Sequence, residues 1–182
     1  MSPTEPTPND YDEKIREMGN YLFSLDQDGD LAHREGDVLR VAEIEREIER
    51  LARKADHFTE VDGPHSILAS LVKGLALRML KRWDEASQAF LDVLDENPMN
   101  GEAWLELTWC LGEQGKWDDA RTAAEKGTEI YPDVSAAWGN LGHVLIQLGD
   151  KESAFHALQK AVALDPRDLR NHDLLGKIAT GP

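Results

Sequence analysis

The chain has 182 residues and a formal net charge of −15 at pH 7. Such an acidic chain repels nucleic acids and anionic membrane surfaces, and the sequence contains no basic patch to offset the repulsion. No apolar run approaches the length of a membrane span, and prolines and acids stand where a signal segment would lie. The composition therefore predicts a cytoplasmic protein without membrane insertion, and its single cysteine, Cys110, forms no intrachain disulfide.

The N-terminal third of the chain has an irregular composition. Residues 1–10 are rich in proline, threonine and acids, and we expect a disordered tail. Residues 11–62 are predicted to form an N-terminal helical segment, beginning with a helix over Tyr11–Leu25. A second helix, over residues 37–58, carries a heptad seam, which either packs on the segment that follows or forms a homodimer contact. The seam consists of Val41, Ile44, Ile48, Leu51, Ala55 and Phe58.

An acidic segment between these two helices, residues 24–35, resembles an EF-hand calcium loop. It has Asp26 and Asp28 at the third and fifth places, Gly29 at the sixth and Glu35 at the twelfth. The first place holds Ser24, which lacks the carboxylate that anchors calcium. We therefore expect an acidic connection between two helices and no metal site.

The chain from residue 67 onwards repeats itself. Units 101–134 and 135–168 align in register, and unit 67–100 is a diverged copy in which Lys81 replaces a turn glycine. Residues 169–180 restart the pattern and then stop, as a capping helix would. The period of 34 residues is marked by Pro98, Pro132 and Pro166, and the shared positions include Trp104 with Trp138, Gly115 with Gly149, and Ala120 with Ala154.

These units resemble the tetratricopeptide repeat, a helix–turn–helix module. The resemblance implies an all-α fold: a right-handed superhelical solenoid of helix pairs over residues 63–182, preceded by the N-terminal helical pair. In such a repeat Ala120 and Ala154 lie where the paired helices cross closely, and a glycine turns the chain at positive φ. Trp104 and Trp138 are expected to pack between helices and not to contact a ligand.

The resemblance also implies a concave groove, lined by the first helix of each repeat, that binds a segment of a partner protein. The family's adaptors for chaperone tails clamp a terminal carboxylate with basic and amide side chains. Here the corresponding places hold Leu71, Leu75, Glu106 and Ala136, and only Asn140 matches. We expect instead a partner with apolar anchors and adjacent Lys or Arg. Counting along the first helices predicts a groove formed by Leu71, Leu75, Arg78, Met79, Glu102, Glu106, Trp109, Glu113, Asn140, His143 and Gln147, with Lys177 at its far end.

The sequence thus predicts a protein–protein interaction adaptor or chaperone, with a weak architectural similarity to the chaperones of type III secretion translocators. The alternative is a structural subunit of an obligate complex or homo-oligomer, whose groove is permanently covered. A third possibility is that the chain's own N-terminal helices cover the apolar face formed by Leu68, Leu71, Val72 and Leu75.

No motif indicates an enzyme. The six histidines are dispersed, and none has a zinc-type spacing with Cys110 or with another histidine. The sequence contains neither a glycine-rich phosphate loop nor a nucleophile elbow. We expect no catalytic residue, no cofactor and no metal ligand.

Overall fold

The computed structural model describes residues 8–59 and 65–180, with the side chains of residues 13–58 and 67–179. All regular structure within these ranges is α-helical, which confirms the predicted fold class. The helices divide into two compact units, an N-terminal unit ending at Asn97 and a C-terminal unit beginning at Pro98. The nine described helices are α1 (Pro8–Glu35), α2 (Val38–Thr59), α3 (His65–Met79), α4 (Trp83–Glu96), α5 (Gly101–Glu113), α6 (Trp117–Ile130), α7 (Ser135–Gln147), α8 (Lys151–Leu164) and α9 (Leu169–Thr180).

In the N-terminal unit, α1 packs on α2, both pack on α3, and α3 packs on α4. The first repeat, formed by α3 and α4, therefore belongs to the same compact unit as the two N-terminal helices. Helix α1 begins at Pro8, three residues before the predicted start at Tyr11. The rest of the predicted tail, residues 1–7, lies outside the described residues. None of the described helices combines the length and the apolar character needed to cross a membrane.

The acidic segment 24–35 is not a connection between helices, and this prediction was wrong. It forms the last three turns of α1, and the chain reverses only at Gly36, whose φ is 70°. Gly29 supplies no turn: it faces α2, where an added methyl group would lie 3.8 Å from Ile44 Cγ2. On a helix, Asp26 and Asp30 point to one side and Asp28 to another, so these carboxylates do not surround one point as a calcium loop requires.

The heptad seam of α2 is buried inside the N-terminal unit. Ile48, Leu51 and Ala55 are almost inaccessible to solvent, and α2 packs on both α1 and α3. The packing interpretation of helix 37–58 therefore holds, and the seam is not exposed for the homodimer contact. Ion pairs support the same packing, since Glu49 of α2 accepts hydrogen bonds from Arg82 at 3.1 and 3.2 Å.

In the C-terminal unit each repeat is fastened to the preceding proline by the same hydrogen bond. The Trp104 indole Nε1 donates to the Pro98 carbonyl oxygen at 2.8 Å, and Trp138 Nε1 donates to the Pro132 carbonyl oxygen at 2.8 Å. In α9 the ring of His172 replaces the indole, with Nε2 2.9 Å from the Pro166 carbonyl oxygen. The two tryptophans are half-buried, and these hydrogen bonds satisfy their indole N–H groups.

The turn inside each repeat needs one residue with positive φ. Gly115 and Gly149 have φ values of 72° and 81°, and Lys81 adopts 58° at the equivalent place of the first repeat. Each turn closes with a hydrogen bond from the next backbone N–H to a carbonyl five residues earlier, as in a Schellman motif; Arg82 donates to Leu77 at 2.9 Å. Lys81 therefore keeps the turn geometry despite its side chain.

The helices of a repeat cross at small residues. Ala86, Ala120 and Ala154, which are one repeat apart, are all fully buried, as predicted for the last two. At a second crossing position a methyl group added at Gly142 would lie 2.6 Å from Leu158 Cγ. These small residues at the crossing set the distance between α7 and α8.

Candidate functional site

The predicted groove residues of the first repeat lie on α3, inside the N-terminal unit. Leu71, Leu75, Arg78 and Met79 are all half-buried. Helices α1 and α2 both pack on α3, and Val72 is buried close to Gly19 of α1, 3.6 Å from an added methyl group. The chain's own N-terminal helices thus cover part of this apolar face.

The groove residues of the second and third repeats lie on α5 and α7, inside the C-terminal unit. One small pocket of about 30 Å³ brings four of the predicted residues together: Trp109, Glu113, Asn140 and His143. A volume of this size admits a few water molecules or the tip of one side chain. The other lining residues, which sequence reasoning did not include, are Thr108, Gly112, Trp117 and Val144.

The remaining predicted residues of this unit are not among those that line the pocket. Glu102 is exposed and Glu106 half-buried on α5. Gln147 lies next to the pocket, with its amide nitrogen 3.4 Å from His143 Nε2. Lys177, predicted at the far end, forms an ion pair at 2.6 Å with Asp173 of its own helix.

A cation lies over the Trp109 ring: Arg170, at the start of α9, which the sequence analysis missed. Its guanidinium carbon lies 4.8 Å from the centroid of a ring of Trp109, within the range of a cation–π contact. A sequence signal was available, because Arg170 stands one period of 34 residues after Ala136, a position already assigned to the groove. Continuing the same count into the capping helix would have found it.

His143 contributes a neutral ring to the site. Burial lowers the pKa of His143, the positive charge of Arg170 lowers it further, and the negative charge of Glu113 opposes both. The imidazole packs edge-on against Trp117, with the ring centroids 6.1 Å apart. At neutral pH the site therefore presents a carboxylate, an amide, an uncharged imidazole and two indoles.

This arrangement suits the binding of a side chain. A flat indole beside a carboxylate can hold an apolar group or the stem of a long basic side chain. Among the residues that the structure describes, no three His, Cys, Asp or Glu side chains converge as metal ligands. Cys110, on the same helix as Trp109, is fully buried and is not part of a disulfide.

Comparisons with known sequences identify the repeats independently. Two family models, both described as tetratricopeptide repeat, match residues 77–138 and 111–168, which together span half of the chain. The Hsp70-Hsp90 organizing protein of wheat, Triticum aestivum, is 34% identical over 94 residues, 52% of this chain and 16% of the relative. The matched segment thus spans about a sixth of the length of that curated relative.

Solved structures resemble the fold. MamA from Desulfovibrio magneticus superposes with a TM-score of 0.66 and 21% identity, over 88% of this chain and 83% of that chain. The second tetratricopeptide domain of human RPAP3, solved with the HSP70 peptide SGPTIEEVD, superposes with a TM-score of 0.62 and 16% identity, over 65% of this chain and 100% of that chain. At these identities the similarity shows the fold alone.

Proposed function

The chain belongs to the tetratricopeptide repeat family, and we propose that it is an adaptor or chaperone that binds a partner segment on α5 and α7 of the C-terminal unit. The observation that carries the proposal is the pocket in which Trp109, Glu113, Asn140 and His143 meet. It combines a half-buried aromatic side chain, Trp109, with an exposed carboxylate, Glu113, within the C-terminal unit. We assign no catalytic activity to the chain, and we place it in the cytoplasm on the basis of its composition.

The charges around the pocket support a basic partner segment. Glu102 and Glu113 are exposed on the same helix as Trp109, and the lowered pKa of His143 keeps its ring uncharged at neutral pH. Exposed carboxylates of this kind steer a cationic segment towards the surface, while apolar contacts hold it there. We therefore propose a partner segment with apolar anchors and Lys or Arg beside them.

An acidic chaperone tail fits this surface poorly. The RPAP3 domain was solved with an HSP70 peptide that ends in EEVD. In this chain the positions that correspond to the family's carboxylate clamp hold Leu71, Leu75, Glu106 and Ala136, with only Asn140 in agreement. Glu106 would repel the carboxylate that the clamp residues attract, so we propose a different class of partner.

A peptide-display selection on the folded chain tests the proposal. Selected peptides should combine apolar residues with adjacent Lys or Arg, and the peptide SGPTIEEVD should not bind. The variant Glu102→Lys/Glu113→Lys should lose the basic preference. The control Asp119→Lys/Glu152→Lys carries the same change of charge on α6 and α8 and should keep it. Enrichment of acidic C-terminal peptides by the unmodified chain would contradict the proposal.

A second candidate function, a structural subunit of an obligate complex or homo-oligomer, is favoured by apolar side chains exposed on the N-terminal helices. Phe23, Val38 and Leu39 are 65%, 76% and 79% exposed. Sedimentation velocity separates the two functions, because an adaptor is a folded monomer without its partner. Self-association that Phe23→Ser/Leu39→Ser abolishes would favour the subunit function. The weak similarity to type III secretion chaperones stays a prediction.

A further inference from the structure

We infer that Arg170 is an internal stand-in for a partner's arginine: it occupies the cation position over Trp109 in the free chain, and the partner's guanidinium replaces it on binding. This inference rests on the proposed function and deepens it. It names arginine as the side chain that the Trp109 surface recognises. It also makes the capping helix α9 a part of the binding site, which would then select partners by competition.

The contact joins two helices that are distant in sequence. Trp109 lies near the end of α5, and Arg170 is the second residue of α9. The guanidinium carbon is 4.8 Å from the ring centroid. A cation at this distance over an indole face is attracted by the ring quadrupole, and arginine makes such contacts more often than lysine. The chain therefore already contains, on this surface, the chemical group that we expect the partner to supply.

The Arg170 side chain can leave without disturbing α9. It is exposed, and no carboxylate of the described chain forms an ion pair with it. The start of the helix is held instead by Asn171, which is only 2% exposed and donates hydrogen bonds to Ser135 Oγ at 3.2 Å and to Asp168 at 2.8 Å. The backbone of α9 is therefore anchored by the residue next to Arg170, and a change of side-chain rotamer is enough to uncover the indole.

The size of the expected effect follows from the strength of an exposed cation–π contact. In the free chain, such a contact favours the covered over the uncovered state of the indole by a factor of about two to five. A partner arginine that takes the same place has to displace Arg170 first, so its binding is weakened by that factor. Removing the Arg170 guanidinium should remove the competition.

The test compares Arg170→Gln with Arg167→Gln. Both variants lose one exposed positive charge from the same stretch of chain, but only Arg170 lies over the Trp109 ring. The probe is a synthetic peptide with leucine anchors and one arginine, titrated by calorimetry, with its arginine-to-citrulline form as a second ligand. We expect Arg170→Gln to bind the arginine peptide two- to fivefold more tightly than Arg167→Gln does, and to lose this advantage with the citrulline peptide.

A second readout needs no peptide. In the free chain, Arg170→Gln should shift the indole N–H resonance of Trp109, identified with Trp109→Phe, while Arg167→Gln should leave it in place. Equal affinities for the two glutamine variants would overturn the inference and leave the proposed function standing. Weaker binding by Arg170→Gln would also overturn it, since Arg170 would then contact an acidic group of the partner. An absence of binding by every variant would overturn the proposed function and, with it, this inference.

Discussion

The two units of the chain build the same kind of turn from different residues. In the C-terminal unit both turns use glycine, with φ values of 72° and 81°, and each repeat is fastened by a hydrogen bond to the preceding proline carbonyl. In the N-terminal unit the turn uses Lys81, with φ of 58°, and Arg82 beside it pairs with Glu49 of α2. In the C-terminal unit, residues inside each repeat thus determine the turns. In the N-terminal unit, contacts with α1 and α2 stabilise a repeat whose own sequence has diverged.

The largest expected effect tests what the units share. Ala154→Glu places a carboxylate at a fully buried helix crossing and should lower the free energy of unfolding by about 3 kcal/mol or more, because the charge is unpaired and the crossing is overpacked. Ala86→Glu should do the same in the N-terminal unit. Ala136→Glu, at an exposed position of α7, is the control and should change little. Chemical denaturation measures all three, and a parent-like midpoint for Ala154→Glu would refute the repeat register.

The next prediction, of intermediate size, compares two glycines that occupy equivalent positions one repeat apart. Gly142→Ala should destabilise the chain by about 1 to 3 kcal/mol, since the added methyl group meets Leu158 at 2.6 Å. Gly176→Ala, one period later on α9, meets no side chain within 4 Å and should stabilise by up to about 1 kcal/mol through helix propensity. Thermal unfolding measures whether each variant is more or less stable than the unmodified chain. A loss of stability in Gly176→Ala as well would mean that Gly176 is as closely packed as Gly142.

A smaller effect sharpens the contrast between the turns. Lys81→Gly should stabilise the chain by about 1 kcal/mol, because glycine adopts positive φ without the penalty that lysine carries. The reverse change, Gly115→Lys, should destabilise by a similar amount. Denaturant midpoints of the two variants are the measurement. If Lys81→Gly is neutral or destabilising, contacts of the lysine side chain outweigh its backbone strain.

The smallest effect is a pH dependence of the C-terminal unit. The pKa of folded His143 is lowered, chiefly by burial, so the unfolded chain binds this proton more readily. The stability from His143 is therefore fully present above the ordinary histidine pKa of about 6.5 and is lost progressively as the pH falls from that value through the lowered pKa of the folded state. His143→Gln should flatten the dependence of the free energy of unfolding on pH below about pH 6.5, as chemical denaturation at several pH values would measure. A profile unchanged by His143→Gln would contradict the buried, neutral ring.

Sequence reasoning predicted the repeats well because their chemistry is local. The period of the prolines, the crossing alanines and the turn glycines each carry a direct structural requirement, and Trp109, Glu113, Asn140 and His143 were placed together by helical counting alone. The prediction for segment 24–35 failed because its acids and Gly29 resemble those of a loop. The burial of Leu25 and Ala32 against neighbouring helices keeps the segment helical. That burial depends on tertiary packing, which local composition does not reveal.

Arg170 is a second residue whose role depends on tertiary packing that the sequence does not reveal. Its position follows from the repeat period, but its contact with Trp109 depends on how the packed helices of the C-terminal unit bring the two side chains together. Helical counting placed Lys177 as a cation at the far end of the groove, and the structure pairs that lysine with Asp173 on its own helix. Counting positions along a helix identifies candidate cations, but only the packing of the repeats determines which of them lies over Trp109.

The most direct test of the binding surface is a calorimetric titration of the best peptide from the display selection into three proteins: the unmodified chain, Trp109→Ala and Phe23→Ala. Phe23 is an exposed aromatic residue of the N-terminal unit and serves as the matched control. Aromatic anchors at interfaces contribute about 1 to 3 kcal/mol, so Trp109→Ala should weaken binding by about 5- to 150-fold and Phe23→Ala should leave it unchanged. Unchanged affinity in Trp109→Ala, or a loss confined to Phe23→Ala, would contradict a binding surface on α5 and α7.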